Sequence, residues 1–426
     1  MRYGAGDELV DVVCPPVLCF GQCIANVCGC GREGSSLGAP MSSRGLYSMP
    51  YPRFSDHEMR RRREALEGVF RANGCDHALV YGANRSGTAV GWLTRWQVTR
   101  EACVVLTLGE RDLLLVNFYN HVPNARMMAT EADVSWAGAA MPSALEELGR
   151  RGARSGRIGV VGPLGFADHH SLQAFASEVV DLNPSYTRLR LMKSAEEIEW
   201  LRVGASLTDA AVGALQHEAR PGMTEPELGD LVERAYVGRG ATTHIHYFGA
   251  TSMSDPRIAV PAQWPSARRL QIGDALLCEV SASYWDYPGQ LLRTFSVGQD
   301  PEPLFARLHE VADAAFDAVL AELRPGAAAA ALVEAAGVIE DAGFTTGDDL
   351  VHGFVGGYFP PVLGSRSRTL EAVPDFRFEA GMTVVVQPNV QTPDGRAGVQ
   401  TGELVLVTDE GAERLHSFPR GLLRLG

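Results

Sequence analysis

Two acids and three histidines stand on strand-like, apolar stretches of this chain, where reactive groups are costly to bury. In residues 275–298, ALLCEVSASYWDYPGQLLRTFSVG, the acid Glu279 lies on the first of two apolar runs. A neutral amide, Gln290, stands eleven residues later at the head of the second. Glu403 sits on another apolar run, 403–408, and a second amide, Gln387, ends the run 382–387. A buried, unpaired carboxylate is unfavourable, so each acid is expected to be paired or protonated. In Thr242-Thr243-His244-Ile245-His246-Tyr247, strand alternation places His244 and His246 on one face. Imidazoles titrate near neutrality and serve as general acid and base, although two histidines on a strand also make a simple polar face.

The elements that must carry these groups follow from periodicity and capping. Ser55-Asp56-His57-Glu58 reads as a capping box for a helix ending near Asn73-Gly74. Strand-like runs at 77–81, 103–108, 112–117 and 157–161, with a helix at 142–150, predict a small α/β domain. Ser194-Ala195-Glu196-Glu197 opens a long amphipathic helix, and Thr224-Glu225-Pro226-Glu227 caps the next. Further strands are expected at 275–281, 290–297, 382–387 and 403–408, with helices at 303–322 and 328–342. The organisation expected is an extension or mis-called start at 1–48, an α/β domain at 49–187 and an α+β domain at 188–426.

Composition bounds the function. The 426 residues carry a net charge of −13, with 46% hydrophobic and 21% charged residues. That balance argues against nucleic acid or an anionic membrane as partner, and no run is long enough to span a bilayer. The basic run Arg60-Arg61-Arg62-Arg63 falls on a helix and reads as a solvated face. Cys14, Cys19, Cys23, Cys28 and Cys30 crowd the start without zinc-ribbon spacing; Met41 and Met49 are alternative starts. Cys75, Cys103 and Cys278 are scattered, as buried thiols of a cytoplasmic protein would be. No P-loop, dinucleotide fingerprint or Gly-x-Ser-x-Gly elbow is present.

The order of landmarks in the second half resembles the pita-bread superfamily of methionine aminopeptidase, aminopeptidase P, prolidase and creatinase. These are Leu191-Met192-Lys193-Ser194, Arg220-Pro221-Gly222-Met223-Thr224-Glu225, Gly273-Asp274 with the 275–298 segment, His352-Gly353, Gly381-Met382-Thr383 through Gln387-Pro388, and Val405-Leu406-Val407-Thr408 with Gly411. The resemblance implies a C-terminal pita-bread domain preceded by a smaller creatinase-type α/β domain, an α+β fold overall. It also implies a homodimer in which Arg95 or Trp96 reaches the partner's site.

Peptidases of this superfamily hold two divalent metals on five side chains, because hard cations require several carboxylates. The matching positions here are Glu279, Gln290, Gly356, Gln387 and Gly402, so a single carboxylate survives. A one-residue shift would bring Glu403 to the last position, still too little negative charge. No metal or cofactor is therefore expected. Creatinase is the metal-free precedent, but Ala262 stands where its histidine is expected. His352 matches a histidine that binds substrate or stabilises the transition state. Gly356-Gly357 leaves backbone room for a ligand lined by Tyr358, Tyr284, Trp285 and Trp264, while Arg293 is structural and Arg366, Arg368 and Arg396 are candidates for a substrate carboxylate. The leading expectation is a metal-independent, creatinase-like enzyme cleaving a C–N or similar bond of a small polar metabolite. It would use Glu279, His352, Glu403, His244 and His246, with Gln290, Gln387, Tyr358 and Trp264 binding substrate. The alternatives are a non-catalytic pita-bread binding protein and an Xaa-Pro-type metallopeptidase with atypical ligands.

Overall fold

The computed structural model of the protein describes residues 51–368 and 372–426; the extension expected at 1–48, with its five cysteines, lies outside the described residues. The first helix, Asp56–Ala72, starts where the cap predicts, the Ser55 side chain accepting from the Glu58 N–H. The other half of the box is not made. Glu58 turns to Arg61 and Arg62, and the Ser55 N–H donates to Glu196 at 2.8 Å. The arginine run is accordingly split: Arg62 is 0% exposed, not part of a solvated face.

A six-stranded mixed sheet follows from β1 (His77–Ala83), β2 (Glu101–Thr107), β3 (Asp112–Val116), β4 (Ala132–Trp136), β5 (Arg157–Val161) and β6 (Glu178–Asp181), in the order β4-β3-β2-β1-β5-β6. The edge strands β4 and β6 escape a periodicity reading because most of their residues are exposed or half-buried. Helices cover both faces: Leu66, Phe70 and Met128 pack on one, Met141, Leu148 and Phe175 on the other.

The second sheet has ten strands. It is built from β7 (Thr242–Ser252), β8 (Asp274–Tyr284), β9 (Tyr287–Pro288) and β10 (Leu291–Val297), and, after a separate two-stranded pair of β11 (Thr345–Thr346) with β15 (Val390–Gln391), from β12 (Val351–Phe354), β13 (Tyr358–Leu363), β14 (Thr383–Val386), β16 (Gly402–Thr408), β17 (Gly411–Arg414) and β18 (Leu423–Leu425). Its spine is β13-β12-β14-β16-β10-β8-β7. The helices Ala195–Glu218 and Glu225–Tyr236, both with complete capping boxes, pack against β8 and β10. Pro303–Glu322 and Ala329–Ala335 pack against β14 and β16. The single helix expected at 328–342 breaks at Gly337, where a Cβ would stand 2.1 Å from the Arg366 guanidinium. No described helix is long and apolar enough to cross a membrane.

The link between β8 and β9 is two residues, Trp285 (φ 49°) and Asp286 (φ 67°). Left-handed backbone at both central positions belongs to the mirror-image hairpin turns, normally filled by Asn and Gly, so these side chains are held there at a cost. Gln97 fixes the turn by donating to Asp286 Oδ2 at 2.7 Å.

Candidate active site

Strand pairing decides which side chains meet. Glu279 on β8 pairs with Tyr247 on β7 and Leu292 on β10; Leu292 pairs in turn with Gly402. Val385 on β14 pairs with Leu404 and with His352 on β12. Side chains alternate along a strand, so Glu279, Leu292, Gly402, Val385 and His352 share one face. Glu403 is one residue out of step and faces the other side.

On the first face, Gln290 Nε2 donates to Glu279 Oε1 at 2.6 Å. Burial pushes the Glu279 carboxyl up to about 8, helped by the charges of Asp348 and Asp349 and opposed by the Gln290 hydrogen bond. Glu279 is therefore protonated at neutral pH. Asp349 is likewise raised, first by burial and then by Asp348. Gln387 Nε2 reaches Asp349 Oδ2 at 3.4 Å. The amide oxygens of Gln290 and Gln387 are both buried without a hydrogen-bond partner. Left so, each orphaned acceptor costs about 1–3 kcal/mol, which a bound N–H or O–H donor would recover.

His352 is 1% exposed, and its Nδ1 lies 3.0 Å from the Gly353 carbonyl. A carbonyl only accepts, so Nδ1 carries the hydrogen and Nε2 keeps its lone pair. Burial drives its pKa down to about 4, leaving a neutral imidazole. Tyr358 stacks on the ring at 4.1 Å between centroids, 19° from parallel. The Tyr358 hydroxyl is raised by burial and by its hydrogen bond to Asp349. The face thus holds a neutral base, a protonated Glu279, a second carboxyl with a raised pKa and two open acceptors.

Five of the nine expected site residues come together here: Glu279, Gln290, His352, Tyr358 and Gln387. Four do not. Glu403 is 0% exposed and takes Arg293 Nη2 at 2.8 Å and both Nε and Nη2 of Arg414. Burial alone would raise its carboxyl, but Arg414 and Arg293 outweigh it and hold Glu403 below the usual range. His244 and His246 part company because the β7–β8 register shifts between Thr243 and Ile245. That bulge sends His244 toward Phe354, at 5.8 Å, while His246 Nε2 bonds the Tyr236 hydroxyl at 2.8 Å. Trp264 is 83% exposed on a loop.

Other expectations change for the same local reasons. Arg366 bonds Glu334, and Arg396 bonds Asp255 at 3.0 Å, so both are already paired. Arg95 and Trp96, 8% and 6% exposed, are buried in their own chain rather than offered to a partner. Gly356 is no open space: a Cβ there would lie 2.7 Å from the Asp286 carbonyl. Asp348 and Asp349 were not anticipated. Their signal was an acidic pair on the turn leading into His352's strand.

The same positions test the two-metal centre. Gln290 and Gln387 carry no charge, and a Cβ at Gly402 would meet the Val386 carbonyl at 2.7 Å and Gln387 Cα at 2.8 Å. No side chain fits that cradle. Among the described residues no group of three or more His, Cys, Asp or Glu is placed to hold a metal ion. The residues present do not fit a dinuclear cluster.

Residues 199–409 match the metallopeptidase family M24. The Xaa-Pro dipeptidase of Pyrococcus furiosus is 26% identical over 274 residues, 62% of this chain and 75% of that protein. An uncharacterized peptidase of Bacillus subtilis is 25% identical over 379 residues, 85% of this chain and 99% of its own. Among solved structures, prolidase from Pyrococcus furiosus superposes with a TM-score of 0.71 at 21% identity, covering 83% of this chain and 99% of that one. The dipeptidase PepE of Mycobacterium ulcerans gives 0.72 at 22% identity, covering 88% and 100%.

Proposed function

As a member of the pita-bread superfamily of creatinase, aminopeptidase P and prolidase, this chain is, we propose, a metal-independent enzyme that hydrolyses a C–N bond in a small polar molecule. One observation carries the reading: a neutral histidine whose Nδ1 hydrogen faces the Gly353 carbonyl, so that Nε2 keeps its lone pair, shares a buried face with a carboxyl kept protonated. Those are the states a general base and a general acid need before reaction. His352 Nε2 takes a proton from water, the hydroxide adds to the carbon, and the Glu279 carboxyl gives its proton to the departing nitrogen. The imidazolium then returns its proton to Glu279, so one water is added across the bond. The open oxygens of Gln290 and Gln387 accept from substrate N–H groups. Tyr358, held by Asp349, closes over the histidine.

The reading supports a bell-shaped pH dependence. Turnover needs His352 unprotonated and Glu279 protonated, so it rises as pH climbs through about 4 and falls through about 8. The test is a panel of small amides, ureido and guanidino compounds, with Gly-Pro included because relatives are named Xaa-Pro dipeptidases. Each is assayed with chelator and with added manganese, zinc or cobalt, and bound metal per subunit is counted. Turnover that survives the chelator and disappears in Glu279→Gln and His352→Gln supports the proposal. Turnover of Gly-Pro only with added manganese would reject it in favour of a metallopeptidase with rebuilt ligands.

A further inference from the structure

The proposed hydrolysis leaves one charge without a partner. When hydroxide adds to a carbonyl carbon, the π pair moves onto the oxygen, and an oxyanion of that kind needs a preorganised donor. Four donors of this face are turned to protein acceptors. Gln290 Nε2 bonds Glu279, Gln387 Nε2 reaches Asp349, and His352 Nδ1 donates to the Gly353 carbonyl. The Tyr358 hydroxyl is held on Asp349.

Ser281 lies on β8 two residues beyond Glu279, so alternation turns its side chain to the same face. Leu291 pairs with Val280, and the Gly289 N–H donates to the Ala282 carbonyl at 3.2 Å, so Gln290 stands directly opposite Ser281. Side chains so placed have Cβ atoms about 5 Å apart. Ser281 is 0% exposed, and its Oγ is buried without a hydrogen-bond partner. Buried hydroxyls ordinarily bond a neighbouring backbone or side-chain group, and this one does not. Across from it the Gln290 oxygen is orphaned as well, because the amide nitrogen is drawn to Glu279. An unmet hydroxyl hydrogen beside unmet amide oxygens is the complement of a group that carries both a carbonyl oxygen and N–H.

We propose that Ser281 Oγ donates to the carbonyl oxygen of the substrate, and that this face therefore takes a carboxamide or ureido group, a neutral carbonyl flanked by N–H. The step it assists rests on the hydrolytic reading above. Ser281 keeps its proton and hydrogen-bonds the oxyanion as hydroxide adds. The electron pair then re-forms C=O while the C–N bond breaks and Glu279 gives its proton to the nitrogen. A guanidino compound has no such oxygen, and addition to its cation leaves a neutral amine that needs no oxyanion donor.

The experiment is a ligand-observed NMR titration of the full chain with N-methylurea, N-methylthiourea and N-methylguanidine, which differ in presenting oxygen, sulfur or a charged nitrogen. No turnover is required. N-methylurea is expected to bind tightest, about tenfold ahead of the thiourea, whose sulfur is a weak acceptor. Ser281→Ala should weaken N-methylurea about tenfold and erase that lead. Its melting temperature should be unchanged or higher, since the lost hydroxyl holds no protein group. A lower melting temperature would give the hydroxyl a structural partner and overturn the proposal. So would N-methylurea failing to bind, a lead that survives in Ser281→Ala, or N-methylguanidine binding tightest. A lead that closes in Tyr247→Phe instead would move the donor to the residue paired with Glu279 on β7, and also overturns it. The two readings fail separately. N-methylurea held as expected, with no amide or ureido compound hydrolysed, ends the hydrolytic reading and leaves Ser281 as a ligand donor. Hydrolysis of such a compound at an unchanged rate in Ser281→Ala ends the Ser281 assignment alone.

Discussion

Glu279 and Glu403 are two buried carboxylates of one sheet, 9% and 0% exposed, in opposite protonation states. Glu279 faces amides, two aspartates and a neutral histidine, with no cation, and is raised to about 8. Glu403 faces Arg293 and Arg414 and is held low. Burial raises both, and the difference lies in the guanidiniums of Arg293 and Arg414, which both bond Glu403. Compensation rather than depth decides which acid is a structural ion and which is a proton donor.

The comparison breaks first at Glu403. Glu403→Ala strips the partner from a buried Arg293, and urea unfolding should show a loss of about 3–5 kcal/mol. A loss near zero would mean the ion pair is not structural. His352→Gln should leave that midpoint nearly unchanged while lowering turnover of an identified substrate by about 10²–10⁴-fold, the contribution expected of a positioned acid–base group. Gly402→Glu, which puts an acid at the last of the five positions the resemblance matched to metal ligands, should cost about 1–3 kcal/mol through overpacking against Gln387 and bind no manganese by metal analysis.

The smallest effect sharpens the contrast. Glu279 has a folded-state pKa near 8 against an ordinary value of 4.5. Between those values the unfolded chain releases a proton that the folded chain keeps, so this group's contribution to stability falls as pH rises through the window. Glu279→Gln should therefore raise the melting temperature at pH 8 by roughly 3 °C, and by less at pH 5. Glu403, held low, has the opposite sign: its contribution is present above its unfolded-state pKa and is lost as pH falls through the lower folded-state value. A variant Glu279→Gln that melts identically at both pH values would show that the carboxyl is not held protonated.

Much of the fold was legible because its signals are local. Capping boxes at Ser194 and Thr224 depend on residues three apart, and both form as read. The helix Pro303–Glu322 and the strands β8, β10 and β16 follow apolar periodicity. The edge strands β4 and β6 lacked that signal, having little buried surface. In the site, Glu279, Gln290 and Gln387 were singled out by the positions they occupy in the superfamily resemblance. Asp348 and Asp349 were overlooked because a turn carries no periodicity to flag them. His246 was misplaced because the bulge at His244 breaks the alternation that put both histidines on one face: His244 packs on Phe354 and His246 turns to Tyr236.

The sequence by itself determined where many of the strands and helices lie, and that an acid and two amides stand on apolar strand-like runs; its resemblance to a known superfamily added that two amides and two glycines occupy four of the five matched metal-ligand positions. Only the tertiary structure decided which of them meet. Strand register puts Glu403 behind the sheet with two arginines and leaves Glu279 without a cation in front of it. Protonation state follows from the charges that surround a group in space, and those charges come from segments as distant in the chain as residues 279 and 349, so no local pattern contains them.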